Sequence, residues 1–135
     1  MSERPQVQRT SGVDRDDEAP AGDPAVMVIF GASGDLTRRL LMPALYNLSC
    51  DRLLNERSVI LGVAMDEWDD ASFRERMTAA VTEFSTRKVF DRPQWERMRD
   101  RLYYMAGKFS DDSTFGRLNE RLAALAEQHG TGGNV

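Results

Sequence analysis

Two short unbroken apolar runs stand out along the chain: "AVMVIF" from Ala25 to Phe30 and "SVILGVAM" from Ser58 to Met65. Rich in β-branched residues and too short for a helix, each reads as a strand buried on both faces of a parallel sheet. Between them Leu36, Leu40, Ala44 and Leu48 recur every fourth residue, and Leu41 and Leu45 widen the stripe. That spacing predicts an amphipathic helix from Asp35 to about Ser49 with the leucines facing the core. Pro43 lies inside it, so one backbone bond must be missing and a bend is expected near Arg39 to Pro43.

After the second run, Phe73, Met77, Ala80, Val81 and Phe84 fall at helical intervals and predict a helix from about Asp70 to Ser85, with Phe73 and Trp68 as core or staple residues. "RPQWERMRD" reads as a short helix with Pro93 in its first turn. "RLYYMAGKF" reads as a third strand. "DDSTFGRLNERLAALAEQHG" has Asp111 or Asp112 to cap it, an apolar stripe through Phe115, Leu118, Leu122 and Leu125, and Gly130 at its stop. Met1 to Pro24 mixes charges with Pro, Gly and Ser and is expected to be a disordered tail ahead of one domain spanning 25–135. The order β-α-β-α-α-β-α describes an α/β fold, a Rossmann-like doubly wound parallel sheet. It is expected to be truncated to about its first three strands, the closing "TGGNV" standing where a fourth should begin.

Composition narrows the chemistry. At 135 residues, 41% hydrophobic and 30% charged, the chain suits a single domain, and its net charge of −4 argues against a nucleic-acid partner. It contains neither a run of about 18 apolar residues nor the apolar core of a signal peptide, so no membrane partner is expected and the cytoplasm is. Cys50 and His129 are the sole members of their types. They leave no constellation for a disulfide, a metal site or nucleophilic catalysis, and no catalytic or metal-binding residue is expected in this stretch.

The stretch that does suggest chemistry is "FGASGDLTRR", where the first strand hands over to the first helix. Gly31 and Gly34 bracket a turn of small residues at the position where a mononucleotide-binding unit passes phosphates over a helix N-terminus. The G-x-G-x-x-G spacing is not met, because Ser33 and Leu36 stand at the second and third glycine positions. The physical logic is that small residues let backbone N–H groups approach a pyrophosphate, with the Ser33 hydroxyl as a further donor. Asp35 is expected to cap the helix. Arg38 and Arg39 oppose the helix dipole, which a nearby phosphate would rationalise; pairing with acids elsewhere is the alternative. At the end of the second strand an acid would accept from the ribose hydroxyls of NAD, whereas a 2′-phosphate wants an arginine. There "GVAMDEW" offers Met65, Asp66 and Glu67. Asp66 leans towards NAD, although these acids could equally begin the following helix.

"FGASGDLTRRLLMPALYNL", followed by "LGVA", "FSDD" and "GTGGN" at similar intervals, resembles the amino-terminal part of the glucose-6-phosphate dehydrogenase family, from about Val26 to Val135. The resemblance implies oxidation of C1 of glucose 6-phosphate to 6-phosphogluconolactone with reduction of NADP, the first step of the oxidative pentose phosphate pathway, by a homodimer or homotetramer. It places Gly31, Ala32, Ser33, Gly34, Asp35, Leu36, Thr37 and Arg38 in the cofactor's phosphate loop. Two positions depart. Leu40 stands where the family usually has a basic residue contacting the sugar phosphate, and Met65 stands where an arginine usually clamps the 2′-phosphate, which leaves NAD open as the cofactor. The family's substrate-binding Asp-His-Tyr-Leu-Gly-Lys segment and its proton-accepting histidine are absent from these residues, and His129 is not that base. The 135-residue stretch alone is therefore expected to be inactive. The rival readings are a non-catalytic dinucleotide-binding module and an interaction protein that keeps a degenerate half of the fold.

Overall fold

A computed structural model describes residues 23–131. The expected disorder before Pro24 falls almost wholly, and the closing glycine-rich turn from Gly132 onward entirely, outside the described residues. Three parallel strands, β1 (Val26–Phe30), β2 (Val59–Ala64) and β3 (Leu102–Ala106), form one sheet in the order β1-β2-β3. The helices are α1 (Met42–Cys50), α2 (Asp70–Phe84), α3 (Arg92–Arg99) and α4 (Asp112–His129). Alternation along the strands sends Ile29, Ile60, Leu102 and Tyr104 into a core with α1, α2 and α3, while Val26, Leu61, Val63 and Met105 meet Leu118 and Leu125 of α4 on the other face. The sheet is thus covered on both faces, as a doubly wound fold requires. All six residues of β2 are buried, as the unbroken apolar run implies. In β1, by contrast, Met27 and Phe30 are exposed, because among the described residues β1 has a partner on one side only.

The helix ends follow local chemistry. Asp69, Asp91 and Asp111 each precede a helix and accept from a backbone N–H, of Ser72, Gln94 and Ser113 respectively. Pro93 sits in the first turn of α3, and Gly130 ends α4 in the left-handed region at φ 68°. Phe115 is not part of the inward stripe of α4; it is exposed and packs on Phe109, which in turn packs edge-on to Phe30.

The first helix corrects two expectations. A π-helical turn spans Thr37–Leu41 and leads directly into α1, where Pro43 occupies the first turn. The wide turn, closed by Met42 N–H on Thr37 O, removes the clash that Pro43 would make in a regular helix, so the expected irregularity takes this form. Its extra residue also rotates the helix. Counting from buried Thr37, regular α spacing would turn Leu41, Ala44 and Leu48 inward; instead Met42, Leu45, Tyr46 and Ser49 are buried. Of the predicted stripe only Leu45 faces the core: Leu36 and Leu40 are each 61% exposed, and Leu41, Ala44 and Leu48 are exposed as well.

Candidate functional site

The Gly31–Gly34 turn lies between the C-terminal end of β1 and the first helical residues, as its sequence position suggests. Gly31 takes φ +74°, a conformation that L side chains rarely adopt, and Gly34 N–H closes the turn on Gly31 O at 2.9 Å. The turn is moored to the neighbouring strand. Gly31 N–H donates to Val63 O at 2.8 Å, Ala32 N–H to the same oxygen at 3.3 Å, and Ala32 is fully buried over β2. The mooring needs Gly62, since a Cβ there would lie 2.6 Å from that of Ala32 and 2.9 Å from Phe73 Cζ. Three turn amides are thereby consumed within the backbone. Among the described residues the amides of Ser33, Asp35 and Leu36 have no backbone acceptor, and they stand where a helix start offers its unsatisfied donors.

Asp35 does not cap the helix. It is itself helical, so its carboxylate lies along the helix surface and takes Arg38 Nη2 at 2.6 Å and Arg39 Nε at 2.9 Å. The hydrogen bond from Arg38, with the charge of both arginines, holds the Asp35 carboxyl below the usual carboxylate range. Both guanidinium groups also lie over the Phe84 ring, at 5.3 and 5.1 Å from its centroid. The arginine pair thus has a local acid, the alternative to a phosphate. Thr37 is buried, its hydroxyl aimed at Gly31 O at 3.5 Å.

The end of β2 lies beside this turn. Met65 is 64% exposed there, followed by exposed Asp66 and Glu67. Tyr104, on the next strand, joins the two parts: its hydroxyl donates to Asp66 O at 2.8 Å and lies within hydrogen-bond reach of the Ser33 side chain. Burial raises the Tyr104 pKa above that of an ordinary phenol, the charges of Asp66 and Glu67 add to the rise, and Ser33 partly offsets it. Tyr104 has no signal in the sequence beyond its place in a strand. The turn, the Ser33 hydroxyl, Arg38 and the Met65 lip share the C-terminal edge of the sheet, where open α/β sheets bind ligands. No cluster of three or more His, Cys, Asp or Glu suited to a metal ion occurs among the described residues.

The family model for the NAD binding domain of glucose-6-phosphate dehydrogenase matches residues 28–135. The chain belongs to that family. It is 41% identical over 115 residues to the glucose-6-phosphate 1-dehydrogenase of Chlamydia muridarum, covering 85% of this chain and 23% of that protein. With the Aggregatibacter actinomycetemcomitans protein of the same name it is 42% identical over 109 residues, 81% of this chain and 22% of the relative. The crystal structure of glucose-6-phosphate 1-dehydrogenase from Mycobacterium avium superposes at TM-score 0.65 with 32% identity, over 73% of this chain and 21% of that one. A glucose-6-phosphate dehydrogenase solved with its substrate glucose 6-phosphate superposes at 0.69 with 26% identity, over 78% and 22%. The chain spans about a fifth of the length of these relatives. The fold is that of the family's Rossmann-type domain, and the matching family model describes the NAD binding domain of glucose-6-phosphate dehydrogenases, which are oxidoreductases of glucose metabolism. No helix among the described residues is long and apolar enough to cross a membrane.

Proposed function

We propose that this chain supplies the cofactor-binding part of an enzyme that oxidises glucose 6-phosphate at C1 to 6-phosphogluconolactone. The observation that carries the reading is the Gly31–Gly34 turn between β1 and a helix start with uncommitted amides at Ser33, Asp35 and Leu36. The residues fit a diphosphate. Gly31, Ala32 and Gly34 keep the turn free of bulk, Ser33 adds a hydroxyl, Asp35, Leu36 and Thr37 open the helix, and Arg38 lies one turn further with its cation shared by Asp35. Met65 borders the adenosine ribose. When bound, the dinucleotide supplies hydride acceptance; the chain's own residues hold and orient it. NADP is the family's usual cofactor and the starting assignment, and Met65 leaves NAD open.

Residues 25–135 form the cofactor domain and 1–24 precede it as a tail; the 135-residue stretch by itself does not turn over substrate. The whole protein acts in the cytoplasm as a homodimer or homotetramer on the first step of the oxidative pentose phosphate pathway. The test is a titration of reduced dinucleotide fluorescence against the purified chain and Gly31→Val, with circular dichroism to confirm folding. Saturable binding that the variant abolishes supports the reading. Absence of binding, or binding indifferent to the substitution, refutes it, as turnover by the 135-residue chain would refute the assignment of inactivity.

A further inference from the structure

The acids that follow β2 do different jobs. Asp69 caps α2 through Ser72 N–H at 2.7 Å. Asp70 accepts from Tyr104 N–H at 2.7 Å and pairs with Arg121 at 3.2 Å. Both are used by the fold. Asp66 and Glu67 are held differently: Trp68 N–H and Tyr104 OH both fix the Asp66 carbonyl, at 2.9 and 2.8 Å. No hydrogen bond or ion pair to either carboxylate occurs among the described residues. Two exposed carboxylates without a hydrogen-bond or ion-pair partner among the described residues therefore follow Met65 beside the turn, on a backbone pinned at Asp66.

Four nearby arginines are engaged elsewhere. Arg38 and Arg39 are held by Asp35, Arg76 lies over the Trp68 ring at 4.5 Å, and Arg121 pairs with Asp70. In the cleft of about 660 Å³ beyond Glu67, Arg117 donates to Ala106 O, and Lys108 also lines the cleft with no ion pair among the described residues. A ribose carrying a free 2′-hydroxyl finds acceptors at this lip, whereas a 2′-phosphate brings about two negative charges towards two carboxylates with no cation at position 65.

We infer that the Asp66–Glu67 lip selects a dinucleotide with an unmodified adenosine ribose, so that the site takes NAD(H) in preference to NADP(H). This rests on the dinucleotide reading above and reverses the family's usual choice. The experiment titrates NADH and NADPH separately by fluorescence and repeats the comparison with 5′-ADP and 2′,5′-ADP as competitors. The expected result is NADH binding at least tenfold tighter, with 5′-ADP the better competitor. Asp66→Ala combined with Glu67→Ala removes that preference, and Met65→Arg strengthens NADPH. Circular dichroism checks folding, which neither carboxylate supports. NADPH binding as tight or tighter overturns the inference and leaves the dinucleotide reading standing; its loss in Lys108→Ala would then identify the cation responsible. A preference for NADH that survives the double alanine variant also overturns it. Binding of neither dinucleotide by the folded protein refutes the site itself.

Discussion

Gly62→Ala puts one methyl group into a space that two rigid neighbours already fill. Its Cβ would sit 2.6 Å from Ala32 Cβ, 2.9 Å from Phe73 Cζ and 3.3 Å from Phe73 Cε1. Neither neighbour can swing away, since Ala32 has no side-chain rotor and both residues are fully buried. Relief must come from the backbone of the turn or of β2, so the cost falls in the upper range for overpacking, about 2–3 kcal/mol. For a domain of this size that lowers Tm by roughly 7–13 °C. Chemical denaturation of the purified protein reads the loss as a lower midpoint with an unchanged slope. Ala32→Gly in the same background removes the closest of the three contacts and should restore about 1 kcal/mol or more, a coupling that two independent sites would not show. Gly62→Ala within about 0.5 kcal/mol of the parent, or no coupling with Ala32→Gly, would refute the claim that this contact moors the turn.

Arg38→Ala should leave Tm unchanged, because its pairing with Asp35 is exposed, yet weaken dinucleotide binding about tenfold in a titration if its cation meets phosphate. Thr78→Val strands the buried Trp95 indole N–H, now 2.9 Å from Thr78 Oγ1, and should cost about 1–3 kcal/mol in chemical denaturation while altering tryptophan emission. Burial and the charge of Arg101 hold the His129 pKa below the ordinary histidine value of about 6.5, so the folded state resists its protonation. That contribution is present above about pH 6.5 and is lost as pH falls through the depressed folded value. Stability should therefore drop more between about pH 7.5 and 5.5 in the parent than in His129→Phe; equal drops would contradict it.

The strands, the capped helices and the position of the glycine turn were legible because each rests on local chemistry: an unbroken β-branched run, an aspartate ahead of a helix, a glycine at positive φ. What was not legible depends on phase. Nothing in the spacing of Leu36, Leu40, Ala44 and Leu48 distinguishes an inward stripe from an outward one once a π-helical turn adds a residue ahead of Pro43. Asp35 has the sequence of a cap, but the helix begins at Asp35 itself, and its carboxylate meets the arginines three and four residues on. The division of labour among Asp66, Glu67, Asp69 and Asp70 likewise depends on Tyr104, 34 residues from Asp70 in the chain and bonded to it in space.

On the proposed reading, the turn between β1 and the first helix receives the dinucleotide's diphosphate. Amide-resolved NMR of the isotopically labelled chain, titrated with NADH, tests it most directly. Saturable shifts are expected at the amides of Ser33, Asp35 and Leu36, whose donors are uncommitted, with smaller changes at Gly31 and Ala32, whose donors are held by Val63. Shifts confined to the cleft lined by Lys108, Arg117 and Arg121, with Ser33, Asp35 and Leu36 unmoved at saturation, would contradict it.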